Sequence, residues 1–150
     1  GLDFLRPFFA ETALPVELAI AGKPAAPGRR IRNLGFVNDI ESVYQAADAV
    51  VLASRYEAFG LAAVESALCG TPALVSSRAG CGEAVREPAL STFRPERPEE
   101  LAAAIVRIVD LDREGLGDLA RCLNYDPGRE AFMDEFAGLA GLSLGARRAG

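Results

Sequence analysis

The sequence predicts a three-layer α/β domain, with a mainly parallel sheet and helices on both of its faces. Three observations carry that prediction. Short apolar runs alternate with segments of helical period along residues 1–109. Such alternation implies crossover connections, and crossovers make neighbouring strands parallel. Glycine and proline cluster between the segments, where a strand or helix has to stop. The chain has 150 residues, half of them apolar and a quarter charged, enough for one domain with its own core.

Taken in order, Leu2, Leu5, Phe8 and Phe9 share a helical face, so residues 2–12 read as an amphipathic helix. Pro7 should kink that helix or delay its start, and Leu14-Pro15 should end it. Val16 to Ala21 is a β-compatible run closed by Gly22. Lys23 to Arg30 is a loop rich in proline, glycine and basic residues, and Ile31 to Val37 is a second strand with Gly35 near its end. Asn38 to Ala47 reads as a helix, with Asn38 as N-cap and Glu41 as its capping-box partner. Ile40, Val43, Tyr44 and Ala47 form its core face. The strand Ala49 to Ala53 follows, then a helix from Gly60 to Cys69. That helix has Leu61, Val64 and Leu68 on one face and alanine over most of the rest, so it should pack closely on a sheet. Gly70 stops it, and the strand Pro72 to Ser76 begins. A Gly-Cys-Gly turn lies within Arg78 to Glu83, a short helical piece within Glu83 to Arg86, and an edge strand within Ser91 to Phe93. Pro98 opens a helix to Val109 whose core face is Leu101, Ala104, Ile105, Ile108 and Val109. Two more helices are expected over 113–123 and 129–140, with Leu119, Cys122, Phe132, Phe136 and Leu139 inward. The single domain thus divides into a core at 1–109, C-terminal helices at 110–142 and a tail at 143–150.

Composition excludes several kinds of chemistry. Net charge is −5, which disfavours non-specific nucleic-acid binding. No apolar run approaches the ~20 residues of a membrane helix. The cysteines Cys69, Cys81 and Cys122 have no metal or redox spacing, and read as buried reduced thiols of a cytoplasmic protein. There is no histidine, which removes Ser-His and Cys-His nucleophiles and the commonest zinc ligand. Catalysis must rest on carboxylates, arginine, backbone amides, helix dipoles or a partner domain. The chain opens on GLDFLRPFFAE, without an initiating methionine, and is expected to be a fragment of a larger two-domain protein.

Ligands of parallel α/β sheets sit at the carboxyl ends of the strands. Those ends are Gly22, Gly35 to Asn38, Ser54 to Gly60 and Ser76 to Glu83. Phe59-Gly60-Leu61 stands at a strand-to-helix turn, where glycine admits close approach and the helix N-terminus suits a phosphate. Glu57 precedes the turn and could reach a sugar hydroxyl, and Glu65 could accept from the paired hydroxyls of a ribose. The competing reading makes Glu57 a helix-terminal charge and Glu65 a satisfied or exposed side chain. Arg55 and Arg78 also lie near strand ends, each expected to pair with a local carboxylate.

The segment SRYEAFGLAAVESALCGTPALVSSRAGCGEAV resembles the donor-site signature of the glycosyl transferase group 1 family, retaining enzymes of the Rossmann-like GT-B type. Glu57, Phe59, Gly60, Glu65, Gly70, Pro72, Gly80 and Glu83 match its order and spacing, and the resemblance extends over residues 1–109, including NLGFVNDIESVYQAAD. It implies transfer of a hexose-type sugar, with retention, from a nucleotide-sugar donor to a glycan, lipid or polysaccharide acceptor. Glu57 would contact the donor sugar, Ala58 to Leu61 (Ala58, Phe59, Gly60, Leu61) would present amides to sugar and phosphate, and Glu65 would hold the ribose. Phe36 and Val37 would border the base, and Gly22 would line the phosphate side. The family uses no metal and no cofactor, the nucleotide-sugar being substrate. Ala58 departs from the family's usual glycine. The family's first strand lies mid-sheet and ends in Gly-Arg, and a lysine precedes the glycine matching Gly1; all of these fall upstream of this chain. The acceptor domain is upstream as well, and peripheral membrane contact would belong to the full-length protein. The chain alone is therefore expected to be inactive.

Two other readings stand beside this one: a sugar-nucleotide epimerase of similar architecture, and a non-enzymatic interaction module. Asp110-Leu111-Asp112 resembles a metal-binding acidic pair but follows a helix, so it reads as a solvated helix end. Gly115 to Ala120 resembles a dinucleotide fingerprint but has no strand before it.

Overall fold

A computed structural model describes residues 1–22, 26–83, 85–110 and 119–123. The order of elements is α1 (Leu2–Glu11), β1 (Leu18–Ala21), β2 (Ile31–Gly35), α2 (Ile40–Ala46), β3 (Val50–Leu52), α3 (Leu61–Leu68), β4 (Ala73–Ser76), β5 (Leu90–Phe93) and α4 (Pro98–Asp110). Two 3₁₀ turns, Gly80–Glu83 and Leu119–Cys122, complete it. The expected helices beyond α4 otherwise lie outside the described residues, as does the tail.

All strand pairs are parallel: β1 with β2, and β3–β4–β5 in a second sheet. α1 starts beside the carboxyl end of β3, where a Cβ built on Gly1 would fall 2.0 Å from the Ala53 carbonyl oxygen. It ends beside the start of β2, where the Arg30 guanidinium donates to the Thr12 carbonyl at 2.9 Å. The ten-residue α1 thus bridges the end of β3 and the start of β2. Between β1 and β3 lies an apolar cavity of about 710 Å³, lined by Leu18, Tyr44, Val50, Val51, Leu74 and Ile105 among others.

β4 shows why the fold has three layers. All four of its residues are buried, and their side chains alternate between two cores. Ala73 and Val75 meet Ala63, Val64 and Ala67 of α3. Leu74 points the other way, among Leu5 and Phe9 of α1 and Leu101, Ala104 and Ile105 of α4. Small residues on α3 let it lie close to the sheet: Ala63 and Val64 are 0% exposed. Of the residues on one face of α3, Val64 is buried and Leu68 packs against this core, while Leu61 remains 49% exposed. Val109, placed in the core face of α4, is likewise exposed.

Other boundaries move for local reasons. Pro7 neither delays nor breaks α1, which runs through it from Leu2. β2 stops at Gly35, which turns into the left-handed region at φ 66°. The N-cap of α2 is Asp39 rather than Asn38; its Oδ1 accepts from the Ser42 amide at 3.1 Å. Gly80–Glu83 is a 3₁₀ turn, and Val85 pairs in an isolated antiparallel bridge with Leu123. β5 begins one residue early, at Leu90, and lies beside β4 as an edge strand.

Three surface carboxylates have pKa values below the usual range: Asp3 through the Arg55 guanidinium, Asp39 through Ser42, and Glu100 through Arg94. A depressed folded-state pKa contributes stability above the unfolded value, and that contribution disappears as pH falls through the folded one. Through these groups the thermal midpoint should therefore not vary with pH near neutrality, and should decline below about pH 4. Melting curves from pH 7 to pH 3 test this, and Glu100→Gln should flatten the acid limb.

Candidate functional site

Two loops at the strand ends are locked together. Glu57, after β3, forms a parallel bridge with Ala79, after β4. The Gly80 amide donates to the Glu57 carbonyl at 3.0 Å. Gly80 fits only because it has no side chain: a Cβ there would lie 2.1 Å from the Ala58 carbonyl oxygen. Gly60 then caps α3 at φ 84°, a conformation that favours glycine. It is buried, with Leu52 and Cys81 beside it.

This arrangement fixes both carboxylates. The Gly60 amide donates to Glu57 Oε1 at 3.2 Å, so the half-buried Glu57 sits at the positive end of α3. The first amides of a helix have no intrahelical acceptor, so further donors point to the same place. Glu65, the fifth residue of α3, is also half-buried. Its Oε2 accepts from the Tyr44 hydroxyl at 2.8 Å. Among the described residues, each carboxylate has one oxygen anchored and the other open.

Phe59 points away from the loop surface and packs against the α3 core, while Ala58 is exposed. Gly22 and Gly35 join the ends of β1 and β2: the Gly22 amide donates to the Gly35 carbonyl at 2.7 Å. Phe36 follows, 85% exposed, with Val37 half-buried. An aromatic ring left that open at a strand end is available for stacking. Tyr56, 86% exposed next to Glu57, is a second such ring that sequence reasoning passed over. Its position directly before Glu57 in the strand-end loop was the available signal.

The cations near the site are engaged. Arg55 pairs with Asp3, and Arg78 with Glu96. Of the thiols expected to be buried, Cys81 is buried and Cys69 and Cys122 are half-buried; burial pushes Cys69 up to about 11 and raises Cys81 as well, which makes these two poor nucleophiles. Among the described residues, no group of three or more His, Cys, Asp or Glu is placed to hold a metal ion. No described helix is long and apolar enough to cross a membrane.

Known proteins share both sequence and fold with this chain. It is 35% identical over 157 residues to a "Probable transglycosylase" of Burkholderia thailandensis, covering 100% of this chain and 43% of the relative. It is 39% identical over 85 residues to the glycogen synthase of Mycobacterium tuberculosis, covering 55% of this chain and 20% of that enzyme. The chain thus spans less than half the length of these relatives. Among solved structures, Anabaena HepE in complex with UDP and glucose superposes with a TM-score of 0.68 at 23% identity, over 90% of this chain and 40% of HepE. Sucrose-phosphate synthase from Thermosynechococcus elongatus gives a TM-score of 0.65 at 25% identity, over 94% of this chain and 40% of that one. The family model for glycosyl transferases group 1 matches residues 2–110. Parallel strands with helices on both faces agree with this match: the chain belongs to the glycosyl transferase group 1 family and has the Rossmann-like α/β fold of its GT-B members.

Proposed function

We propose that this chain is the donor-binding domain of a metal-independent glycosyltransferase that moves a hexose-type sugar, with retention, from a nucleoside diphosphate sugar to a glycan, lipid or polysaccharide acceptor. The observation that carries the reading is the pair of half-anchored carboxylates around the amino-terminal half of α3. Glu65 takes the ribose hydroxyls on its open oxygen. The amides from Ala58 to Leu61 and the dipole of α3 face the diphosphate and stabilise the leaving group electrostatically. Glu57 meets the donor sugar, Phe36 and Val37 border the base, and Gly22 lines the phosphate side. HepE, solved with UDP and glucose, has the same fold and supports a nucleotide-sugar as the ligand class.

The acceptor is bound by another domain of the whole protein. Among the described residues, the strand-end arginines Arg55 and Arg78 are already paired with carboxylates, so neither stands free for the diphosphate. The isolated chain accordingly performs no transfer. Calorimetric titration of the whole protein with UDP, GDP and ADP tests the reading. One of the three should bind, and Glu65→Ala should weaken it by about 10- to 100-fold, the range for a hydrogen bond to a charged group. Absence of binding by all three would sink the proposal.

A further inference from the structure

Tyr44 is the fifth residue of α2, and its side chain reaches across to α3. The residue is only 7% exposed, so the ring has little freedom. Its backbone is fixed as well: the hydroxyl of the buried Thr71, at the entry to β4, donates to the Tyr44 carbonyl at 2.6 Å. The phenol therefore holds a set position relative to the sheet, and it donates to Glu65 Oε2 at 2.8 Å.

Glutamate has three side-chain torsions, and an unheld carboxylate samples several rotamers. A ribose presents two adjacent hydroxyls in a fixed geometry. Binding them well requires the carboxylate to be held before the ligand arrives. Tyr44 is suited to that task because its hydroxyl stays protonated: burial, and then the Glu65 carboxylate beside it, push its pKa far above the ordinary phenol value. It therefore donates throughout the working pH range.

We infer that Tyr44 is a positioning residue for donor recognition: by holding Glu65 Oε2, it aims the open Oε1 at the ribose hydroxyls. This rests on the ribose assignment of Glu65 made above. Tyr44 then acts only through Glu65, and its effect falls on the ribose part of the nucleotide. A role confined to packing would affect every nucleotide equally.

The test uses the whole protein and the diphosphate that binds best among UDP, GDP and ADP, each compared with its 2′-deoxy counterpart. The parent should prefer the ribonucleotide by about 10-fold or more. Glu65→Ala should remove that preference. Tyr44→Phe keeps the ring and should reduce the preference about 3- to 10-fold, raise the donor KM by a similar factor and leave kcat within about 2-fold. Tyr44→Phe combined with Glu65→Ala should show no loss beyond Glu65→Ala alone. If Glu65→Ala removes the preference but Tyr44→Phe leaves it intact, or the two losses add, the positioning role is overturned while the ribose assignment stands. If Glu65→Ala leaves the preference intact, the ribose assignment fails and takes this inference with it, as does the absence of binding by all three nucleotides.

Discussion

Gly80→Ala should destabilise the domain by about 2–3 kcal/mol, the upper range for overpacking a tight site. It should also weaken donor binding at least tenfold. The new Cβ would fall 2.1 Å from the Ala58 carbonyl oxygen and 3.1 Å from its carbon. Both are backbone atoms, so no rotamer change relieves the contact. The loops after β3 and β4 must separate, which strains the Gly80 amide bond to the Glu57 carbonyl. Glu57 and Gly60 move with that loop, and the amino terminus of α3 loses its alignment. For a chain of this size the thermal midpoint should drop by about 4–12 °C. Gly82 supplies the control: it is exposed, and nothing lies within 4 Å of a Cβ built there. Gly82→Ala should stay within about 0.5 kcal/mol of the parent. Melting curves and nucleotide titrations of both variants decide the matter; equal stability and affinity for Gly80→Ala would show that the interlock does not matter.

The layered fold was legible because local patterns state it directly. Apolar runs at Val50–Leu52 and Ala73–Ser76 bracket a helix of small residues, and that sequence can hardly be anything but strand, crossover and strand. Boundaries were less legible because neighbouring residues offer the same chemistry. Asn38 and Asp39 are both good caps, and the choice fell to Asp39, whose carboxylate takes both the amide and the hydroxyl of Ser42. The close packing of α3 was legible in its alanines, whereas the exposure of Leu61 was not. Leucine periodicity suggests burying Leu61, but the sheet approaches along Ala63 and Ala67, where short side chains allow the tightest packing.

The site was legible as two carboxylates and a glycine, and not as the contacts that hold them. The partners of Glu57 are local: Gly60 is three residues away, and the helix start itself provides the donor. The partner of Glu65 is Tyr44, 21 residues earlier and on a different helix. In the sequence Tyr44 is one apolar position in a helical face, so its hydroxyl carries no signal until α2 and α3 are packed. Gly80 and Ala58 are likewise distant in sequence and meet only because β3 and β4 pair. The break between β1 and β3 leaves no local trace either, since both strands have the apolar runs of paired ones.

Glu57→Gln should separate the helix-capping role of Glu57 from the role proposed for it at the donor sugar. Its Oε1 accepts from the Gly60 amide, and a glutamine carbonyl can do the same with nearly unchanged shape. Stability should then fall by less than about 1 kcal/mol, whereas Glu57→Ala removes the acceptor and should lose about 1 kcal/mol, as capping substitutions do. Catalysis should respond in the opposite way. Transfer from a nucleoside diphosphate sugar develops positive charge at the sugar ring as the diphosphate departs. A carboxylate beside the ring stabilises that charge more in the transition state than in the ground state, and a neutral amide does not. At an effective dielectric near 20, a charge pair about 5 Å apart is worth about 3 kcal/mol, which corresponds to roughly a 100-fold change in kcat. Glu57→Gln in the whole protein should therefore lower kcat by about two orders of magnitude. Glu57→Ala should lose the same kcat and also shift the melting point. A glutamine variant that transfers sugar at the parental rate would reduce Glu57 to a helix cap and leave the catalytic charge to be sought elsewhere in the site.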